Sequence, residues 1–259
     1  MLAILSPAKS LDFDTPPTTK KHSTPQFIAE SEQLIKQLRR FSSEQLGELM
    51  GISTKLADLN RDRYANWQNR FNRGNAKPAV LAFSGDVYLG LDAAKFSARD
   101  FNWAQKHLRI LSGLHGVLRP LDLIQPYRLE MGTQLKTGFG TDLYAFWGDR
   151  VTDELNATLE QLGQRYLINL ASQEYFSVVQ PERVEARIIN VRFKDFSNGS
   201  YKFMSYYGKQ ARGLMASYMV KQRVTTLKAL KAFDWQGYAF APEQSSDNDW
   251  VFLRDKVPR

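Results

Sequence analysis

The chain has 259 residues, no cysteine, only three histidines, and a formal net charge of +8. The lack of cysteine excludes disulfides, iron–sulfur clusters and thiolate zinc sites, and the histidines show no metal-ligand spacing. We therefore predict no metal site and no cofactor. No apolar run is long enough to cross a bilayer, and the run at Leu2–Leu5 is too short for a secretion signal, so we expect a cytoplasmic protein with no membrane partner.

The first third of the chain is predicted to be mainly helical after one short buried strand at Leu2–Leu5. The loop that follows, TPPTTKKHSTP, is rich in proline and threonine, which excludes a helix there. Three helices are then predicted, the first ending near residue 40 and the third near residue 68. Their start signals are Pro25 behind Thr24, a capping-box pattern of Ser42 with Gln45, and Ser53.

The middle of the chain is predicted to contain a strand and one amphipathic helix. The apolar segment Ala79–Phe83 is the strand, and it leads into the glycine-containing loop SGDVYLGL. Ser97 caps the helix, which is predicted over Ala98–Leu111. Its apolar residues recur at helical spacing, and three cations fall on another face: Arg99, Lys106 and Arg109.

The last part of the chain mixes strands and helices. The clearest pattern is a hairpin in which β-branched and aromatic residues alternate around Asn198-Gly199. The other predicted elements are a helix near Asp142–Leu162, a strand at Tyr166–Leu170, a helix at about Lys209–Arg223, a short helix through Ala232 and a strand near Trp250–Leu253. This order predicts one mixed α/β (α+β) domain over residues 1–259, with a mixed sheet and flanking helices.

The stretch LSGLHGVLRPLD, residues 111–122, has two interpretations. Gly113 and Gly116 follow a predicted helix, so they can form a helix–hairpin–helix-like turn whose backbone N–H groups approach a phosphate, with Arg119 adding a charged contact. The alternative is an ordinary structural turn. The glycines are three apart rather than the usual two, and Pro120 limits any long second helix.

Five further residues stand out because of their places next to predicted strands or in loops and extended segments. Lys9 in SPAKS follows the first strand, where it can bind an anion, act as a nucleophile or simply be solvated. Asp86 and Tyr88 lie in the glycine-framed loop, where the acid can be a base, a ligand or a turn residue. Arg128 and Glu130 are two apart on an extended segment, which favours a structural ion pair.

A basic block lies between Phe196 and Phe233, where there is no Asp or Glu. Its seven cations are Lys202, Lys209, Arg212, Lys221, Arg223, Lys228 and Lys231. Such a block attracts polyanions, of which nucleic acid is the most common in the cytoplasm, although a solvated basic face has the same composition.

Several segments together resemble the YaaA family of bacterial peroxide-stress resistance proteins. They are SPAKSLDF, FSGDVYLGL, HLRILSGLHGVLRPLDLIQPYRLEMG, LYAFWGD, INLASQEYF and KQARGLMASYMV. The resemblance covers essentially the whole chain. It implies a cytoplasmic protein that limits free iron and oxidative DNA damage, with a positively charged cleft, a helix–hairpin–helix-like element and binding to duplex or distorted DNA. By motif, the positions that carry over are Lys9, Asp86, Tyr88, Arg119, Arg128, Lys209 and Arg212.

Three functional hypotheses follow. The sequence carries no established catalytic signature that would favour an enzyme among them. The first is sequence-independent DNA binding, in which the predicted contacts line one basic cleft: Lys9, Arg109, Gly113, Gly116, Arg119, Arg128, Lys209, Arg212 and Arg223. The second is an enzyme acting on an anionic small molecule or a DNA lesion, with Lys9 or Lys209 as nucleophile or anion clamp, Asp86 as acid or base, and Tyr88 as a further candidate. The third is an iron-binding or iron-regulating protein; under the first hypothesis the relationship to iron is indirect.

Overall fold

Residues 1–256 are described by a computed structural model, and a mixed sheet of eight strands lies at their centre. Helices pack around this sheet, so the predicted mixed α/β domain is confirmed. The strands are β1 (Leu2–Leu5), β2 (Ser10–Leu11), β3 (Lys77–Pro78), β4 (Phe83–Ser84), β5 (Leu108–Ser112), β6 (Gly116–Leu118), β7 (Leu123–Ile124), β8 (Tyr166–Leu170), β9 (Arg187–Ser197), β10 (Ser200–Lys202), β11 (Ala239–Phe240) and β12 (Asp249–Arg254).

The helices surround the sheet, and most of them are short. They are α1 (Ile28–Leu38), α2 (Ser43–Met50), α3 (Thr54–Asn66), α4 (Ala79–Ala82), α5 (Asp86–Leu91), α6 (Ala98–His107), α7 (Leu143–Trp147), α8 (Arg150–Gln161), α9 (Gln173–Phe176), α10 (Ser205–Gln222) and α11 (Leu227–Lys231). Among them α10 is by far the longest, and it packs against α5, α6 and the sheet.

The sheet has the order β11-β12-β9-β8-β1-β5-β6, with β10 paired to β9. Strands β12, β9, β8, β1 and β5 are parallel to one another, and β6, β10 and β11 are antiparallel to their neighbours. The chain leaves β1 toward β5 on one side and later returns to β8 on the other side. This arrangement makes a topological switch point at β1, and ligands of such sheets bind beyond the carboxyl ends of the strands.

Several sequence predictions are confirmed. Strands β1 and β8 have the predicted bounds, and the capping box of Ser42 with Gln45 is present at the start of α2. The hairpin of β9 and β10 turns at Asn198-Gly199, where both residues have positive φ. The predicted helix near Asp142–Leu162 is divided into α7 and α8 at Gly148, which also has positive φ.

Two predicted elements are wrong. Ala79–Phe83 was predicted as a strand, but Ala79–Ala82 forms the single-turn helix α4 and Phe83 begins β4. A short apolar run is compatible with a buried helix as well as with a strand. The helix predicted over Ala98–Leu111 ends at His107, and the residues that follow form β5 beside β1. The pairing with β1 buries every residue of Leu108–Ser112, so tertiary contact overrides the helical pattern.

The glycine stretch that follows is therefore a β-hairpin, and no helix–hairpin–helix element exists at this place in the described chain. Strand β5 turns through Gly113, Leu114 and His115 into β6, and all three are buried. A side chain at Gly113 would overlap the backbone of Leu129, and one at Gly116 would overlap the Trp147 ring. These glycines thus permit close internal packing, and their backbone does not face solvent where a phosphate could approach.

The hairpin turn also holds a buried histidine. His115 is fully buried, its Nδ1 lies 2.8 Å from Ser31 Oγ, and burial lowers its pKa to about 3. A neutral imidazole in this position is a packing residue, which agrees with the structural-turn interpretation of residues 111–122.

The helices α5 and α10 approach each other through two glycines. A Cβ added at Gly213 would overlap the carbonyl oxygen of Val87, and one at Gly90 would overlap the carbonyl oxygen of Gln210. Only residues without a side chain allow this distance between the two helix backbones. The contact fixes α10 against the start of α5, where Asp86 lies.

We expect Gly213→Ala to lower the free energy of unfolding by about 3 kcal/mol, because the new methyl group has no space at the α5–α10 contact. Gly138→Ala is the control, since a side chain there meets nothing within 4 Å, and it should change stability by less than about 0.5 kcal/mol. Urea unfolding of both variants measures this. Equal stability of the two variants would contradict the described contact.

Candidate functional site

A pocket of about 370 Å³ lies beyond the carboxyl ends of β1 and β8. It is built from five separate parts of the chain, brought together by the sheet and by α10. The residues that line it are Ser6, Pro7, Ala8, Lys9, Ser10, Ser84, Gly85, Asp86, Val87, Glu130, Ser172, Glu174, Tyr175, Lys209 and Arg212. Four residues predicted from the sequence therefore meet here: Lys9, Asp86, Lys209 and Arg212.

Hydrogen bonds between the ends of the two central strands form the floor of the pocket. The Ser172 backbone N–H donates to Ser6 Oγ at 2.8 Å, and the Ser6 hydroxyl donates to Ser172 Oγ at 3.2 Å. The Tyr88 hydroxyl donates to the Ser6 carbonyl oxygen at 3.1 Å. These bonds fix the start of the loop that carries Lys9.

The place of Tyr88 differs from that of the other predicted residues. Its side chain is buried beneath the loop and is not among the residues that line the pocket. Burial raises the pKa of its hydroxyl well above the ordinary value, so it keeps its proton. In this structure Tyr88 is a positioning residue for the Ser6 backbone.

One carboxylate joins two cations at the mouth of the pocket. Glu130 accepts from Lys9 Nζ at 2.6 Å and from Arg128 Nη2 at 2.9 Å. The ion pair predicted between Arg128 and Glu130 is thus present. Each oxygen of Glu130 thus pairs with one cation, and the Lys9 side chain remains 64% exposed.

The wall formed by α10 carries two cations without ion pairs in the described part of the chain. Lys209 is exposed, and Arg212 is half-buried; partial burial lowers the pKa of its guanidinium. The Arg212 guanidinium makes no hydrogen bond within residues 1–256 and lies 6.0 Å from the centre of the Phe203 ring. Even partial desolvation of a cation without a counter-ion is unfavourable, and a bound anion would offset that cost.

Asp86 is the first residue of α5 and faces the same pocket. The antiparallel pairing of Ser10 with Ser84 brings its loop beside the Lys9 loop. No ion pair joins its carboxylate to any cation among residues 1–256. The pocket therefore combines cations with carboxylates, and both can contact a ligand.

Three arginines predicted to contact DNA lie outside this pocket: Arg109, Arg119 and Arg223. The prediction that a single cleft contains all of the DNA contacts is therefore wrong. Arg109 is a buried residue of β5 whose guanidinium donates to Leu108 and Thr158; burial lowers its pKa to about 10. Arg119 is bound to the fully buried Asp122 and to a backbone carbonyl. Their guanidinium groups serve the fold.

Arg223 lies past the end of α10 and pairs with Asp100 at 2.7 Å. It is eleven residues after Arg212, which corresponds to about 16 Å along a helix. With Arg99 and Lys106 it lines a shallow surface on α6, so the basic block divides between two ends of α10.

Sequence reasoning missed several residues of the pocket. Ser172 and Glu174 follow β8 directly, and the position after a buried parallel strand was the signal that could have identified them. The Glu174 carboxylate accepts from the Gly132 backbone N–H at 3.1 Å. Ser6 follows β1 in the same way.

Within residues 1–256, no group of three or more His, Asp or Glu side chains is arranged to hold a metal ion. In the same part of the chain, no helix has both the length and the apolar character needed to cross a membrane.

Comparisons with known proteins give consistent matches over nearly the whole chain. The family profile described as peroxide stress protein YaaA matches residues 1–244. A protein of Ralstonia pickettii (strain 12J) named UPF0246 protein is 57% identical over 254 residues, which cover 98% of this chain and 99% of that protein. A UPF0246 protein of Ralstonia nicotianae shows the same identity and the same coverage.

Arg212 has no counter-ion within residues 1–256, and this leads to a prediction about the stability of the protein. We expect Arg212→Met to raise the free energy of unfolding by about 1 kcal/mol in a buffer without multivalent anions, because it removes a partly desolvated charge that has no counter-ion among residues 1–256. Arg254→Met is the matched control, since Arg254 is buried in an ion pair with Asp195 at 2.7 Å. That change should cost about 3–5 kcal/mol because it leaves the Asp195 charge unpaired.

Urea unfolding of both variants measures the difference. A loss of stability in Arg212→Met as large as that in Arg254→Met would show that Arg212 is a structural residue.

Proposed function

The chain belongs to the family of the peroxide stress protein YaaA, and on this basis we propose that it acts in peroxide stress by binding DNA at the pocket beyond β1 and β8. The observation that carries the proposal is the position of Lys209 and Arg212. Both cations face the pocket from α10, and neither has an ion pair within residues 1–256. A phosphate group supplies the missing counter-ion.

The proposed contacts are limited to cations that reach the pocket. Lys209 and Arg212 contact a phosphate directly, and Lys9 does so at the mouth, while Arg128 holds Glu130 and through it Lys9. These contacts address the DNA backbone and not the base edges, so we expect binding without sequence preference. Arg109, Arg119, Arg223, Gly113 and Gly116 are not included, because their polar groups are buried, already paired or distant.

The size of the pocket favours distorted DNA over a regular duplex. A cavity of about 370 Å³ matches the volume range of sites for small molecules, and a duplex is too wide to enter it. A displaced nucleotide at a damaged or unpaired position can enter with its phosphate. Protection of such DNA requires the protein to share its compartment, which is the cytoplasm expected from the sequence; in this proposal the relationship to iron is indirect.

We expect the double variant Lys209→Ala with Arg212→Ala to lower affinity for DNA at least about tenfold and to reduce the salt dependence of binding by about two ions. The control is Lys221→Ala with Lys228→Ala, which removes two exposed cations of the same basic block near the other end of α10. Fluorescence anisotropy from about 50 to 200 mM salt measures both quantities.

A control pair that loses as much affinity as the pocket pair would mean that the whole basic surface binds DNA, and the pocket would have no special role. Affinity that is unchanged in the pocket variant would contradict the proposal.

An enzyme that acts on an anionic small molecule or a DNA lesion is the second candidate, favoured by the free Asp86 carboxylate in a pocket that also holds cations. In that function Lys9 or Lys209 clamps the anion or attacks the substrate, and Asp86 transfers a proton. Asp86→Asn should then abolish turnover while binding persists. A covalent adduct trapped with borohydride on abasic-site DNA, and lost in Lys9→Ala or Lys209→Ala, identifies the lyase form; no adduct across several lesions counts against it.

A further inference from the structure

A second cavity adjoins the pocket and is formed by a gap in the edge of the sheet. Along one edge of β9, β8 pairs only with Arg187–Asn190 and β10 pairs only with Asp195–Ser197, while β12 occupies the other edge. The four residues between them, Val191–Lys194, have no strand on that side. We call the resulting cavity of about 450 Å³ the notch.

The notch has a lining suited to an unpaired nucleotide. Three cations line it and no Asp or Glu does so within residues 1–256; the lining residues are Asn169, Ala171, Gln173, Phe176, Asn190, Val191, Arg192, Phe193, Lys194, Phe203 and Arg212. Lys194 is bound only to the neutral Gln244 side chain, and Arg192 is 3.4 Å from Asp249. The excess of positive charge favours a polyanion over a peptide strand, which would also find only four residues of free edge.

The notch contains an aromatic side chain that is largely exposed. Phe203 is 57% exposed, which is unusual for so large an apolar side chain. A side chain at Gly208 would overlap the Phe203 ring, so the ring rests against the first turn of α10. The Arg212 guanidinium lies over the same ring at 6.0 Å, so a base that stacks on the exposed part of the ring places its phosphate near this cation.

The amide groups of the notch complete the set of contacts. Asn169 and Asn190 lie side by side, with the Asn169 amide donating to Asn190 Oδ1 at 3.0 Å. Asn169 Oδ1 also accepts from the Ala171 N–H at 3.0 Å, and the Asn190 amide donates to Asp249 at 3.4 Å. The remaining amide hydrogens and lone pairs, together with the free strand edge, can pair with the edge of an unpaired base. Arg212 lines both the notch and the pocket, so one guanidinium can contact the phosphate that joins nucleotides in the two cavities.

We propose that the notch binds an unpaired nucleotide of DNA, with its base stacked on Phe203 and its phosphate on Arg212. This inference rests on the proposed function, because it extends the DNA path from the pocket along the free edge of β9. It adds a preference: single-stranded or locally unpaired DNA should bind more tightly than a perfect duplex.

The test compares Phe203→Ala with Phe139→Ala. Phe139 is a matched control, since it is 54% exposed and lies beneath an arginine, Arg150, at 5.0 Å, far along the chain from the notch. The DNA probes are a 20-nucleotide single strand, the same length of perfect duplex, and a duplex with a central unpaired bubble. We expect Phe203→Ala to weaken binding of the single strand and the bubble about tenfold and to leave the duplex within about twofold. Phe139→Ala should change none of them.

Photocrosslinking provides an independent readout. A single strand containing 5-iodouracil should crosslink to the tryptic peptide of residues 203–209 in the wild type and lose that product in Phe203→Ala. Equal loss of affinity for all three probes, or no loss for any, would overturn the notch inference. If Lys209→Ala with Arg212→Ala also leaves every probe unaffected, the proposed function itself fails; if only Phe203→Ala is without effect, the pocket proposal stands and the notch does not.

Discussion

The contact between α5 and α10 through Gly90 and Gly213 is the constraint on which the pocket depends. It places the backbones of two helices closer than any side chain would permit, and so sets the height of α10 above the carboxyl ends of the central strands. Lys209 and Arg212 reach the pocket only because the first half of α10 is held there. The same half of the helix fixes Phe203 through Gly208, so both cavities share one support.

The cations discussed above form two groups: those that already have an acceptor within the fold and those that do not. Arg109, Arg119 and Arg254 donate to internal acceptors and stabilise the chain, whatever ligand is present. Lys209 and Arg212 have no such acceptor among residues 1–256. This distinction, rather than the total of +8, separates a surface that is merely basic from one that can hold an anion.

Local patterns in the sequence predicted much of the fold and part of the site. The predictions of strands β1 and β8, the Ser42 capping box and the Asn198-Gly199 turn are confirmed because their signals are local. Leu108–Ser112 was misread because its pairing with β1 depends on residues about a hundred positions away. Lys9 and Asp86 were identified as candidates from their local sequence. That they lie in one pocket with Arg212 depends on the order of strands in the sheet, which is a long-range property. The contact of α5 with α10 through Gly90 and Gly213 could not be predicted, because a glycine inside a helix does not indicate which other element packs against it.

Glu130 acts as a resident competitor at the mouth of the pocket. Any anion that contacts Lys9 must share it with a carboxylate 2.6 Å away, so a weakly charged ligand gains little by entering. A ligand that presents several negative oxygens at once can reach Lys9, Lys209 and Arg212 together and offset that competition. In the proposed function, this competition favours a chain of phosphates, which can contact several cations at once, over a single small monoanion.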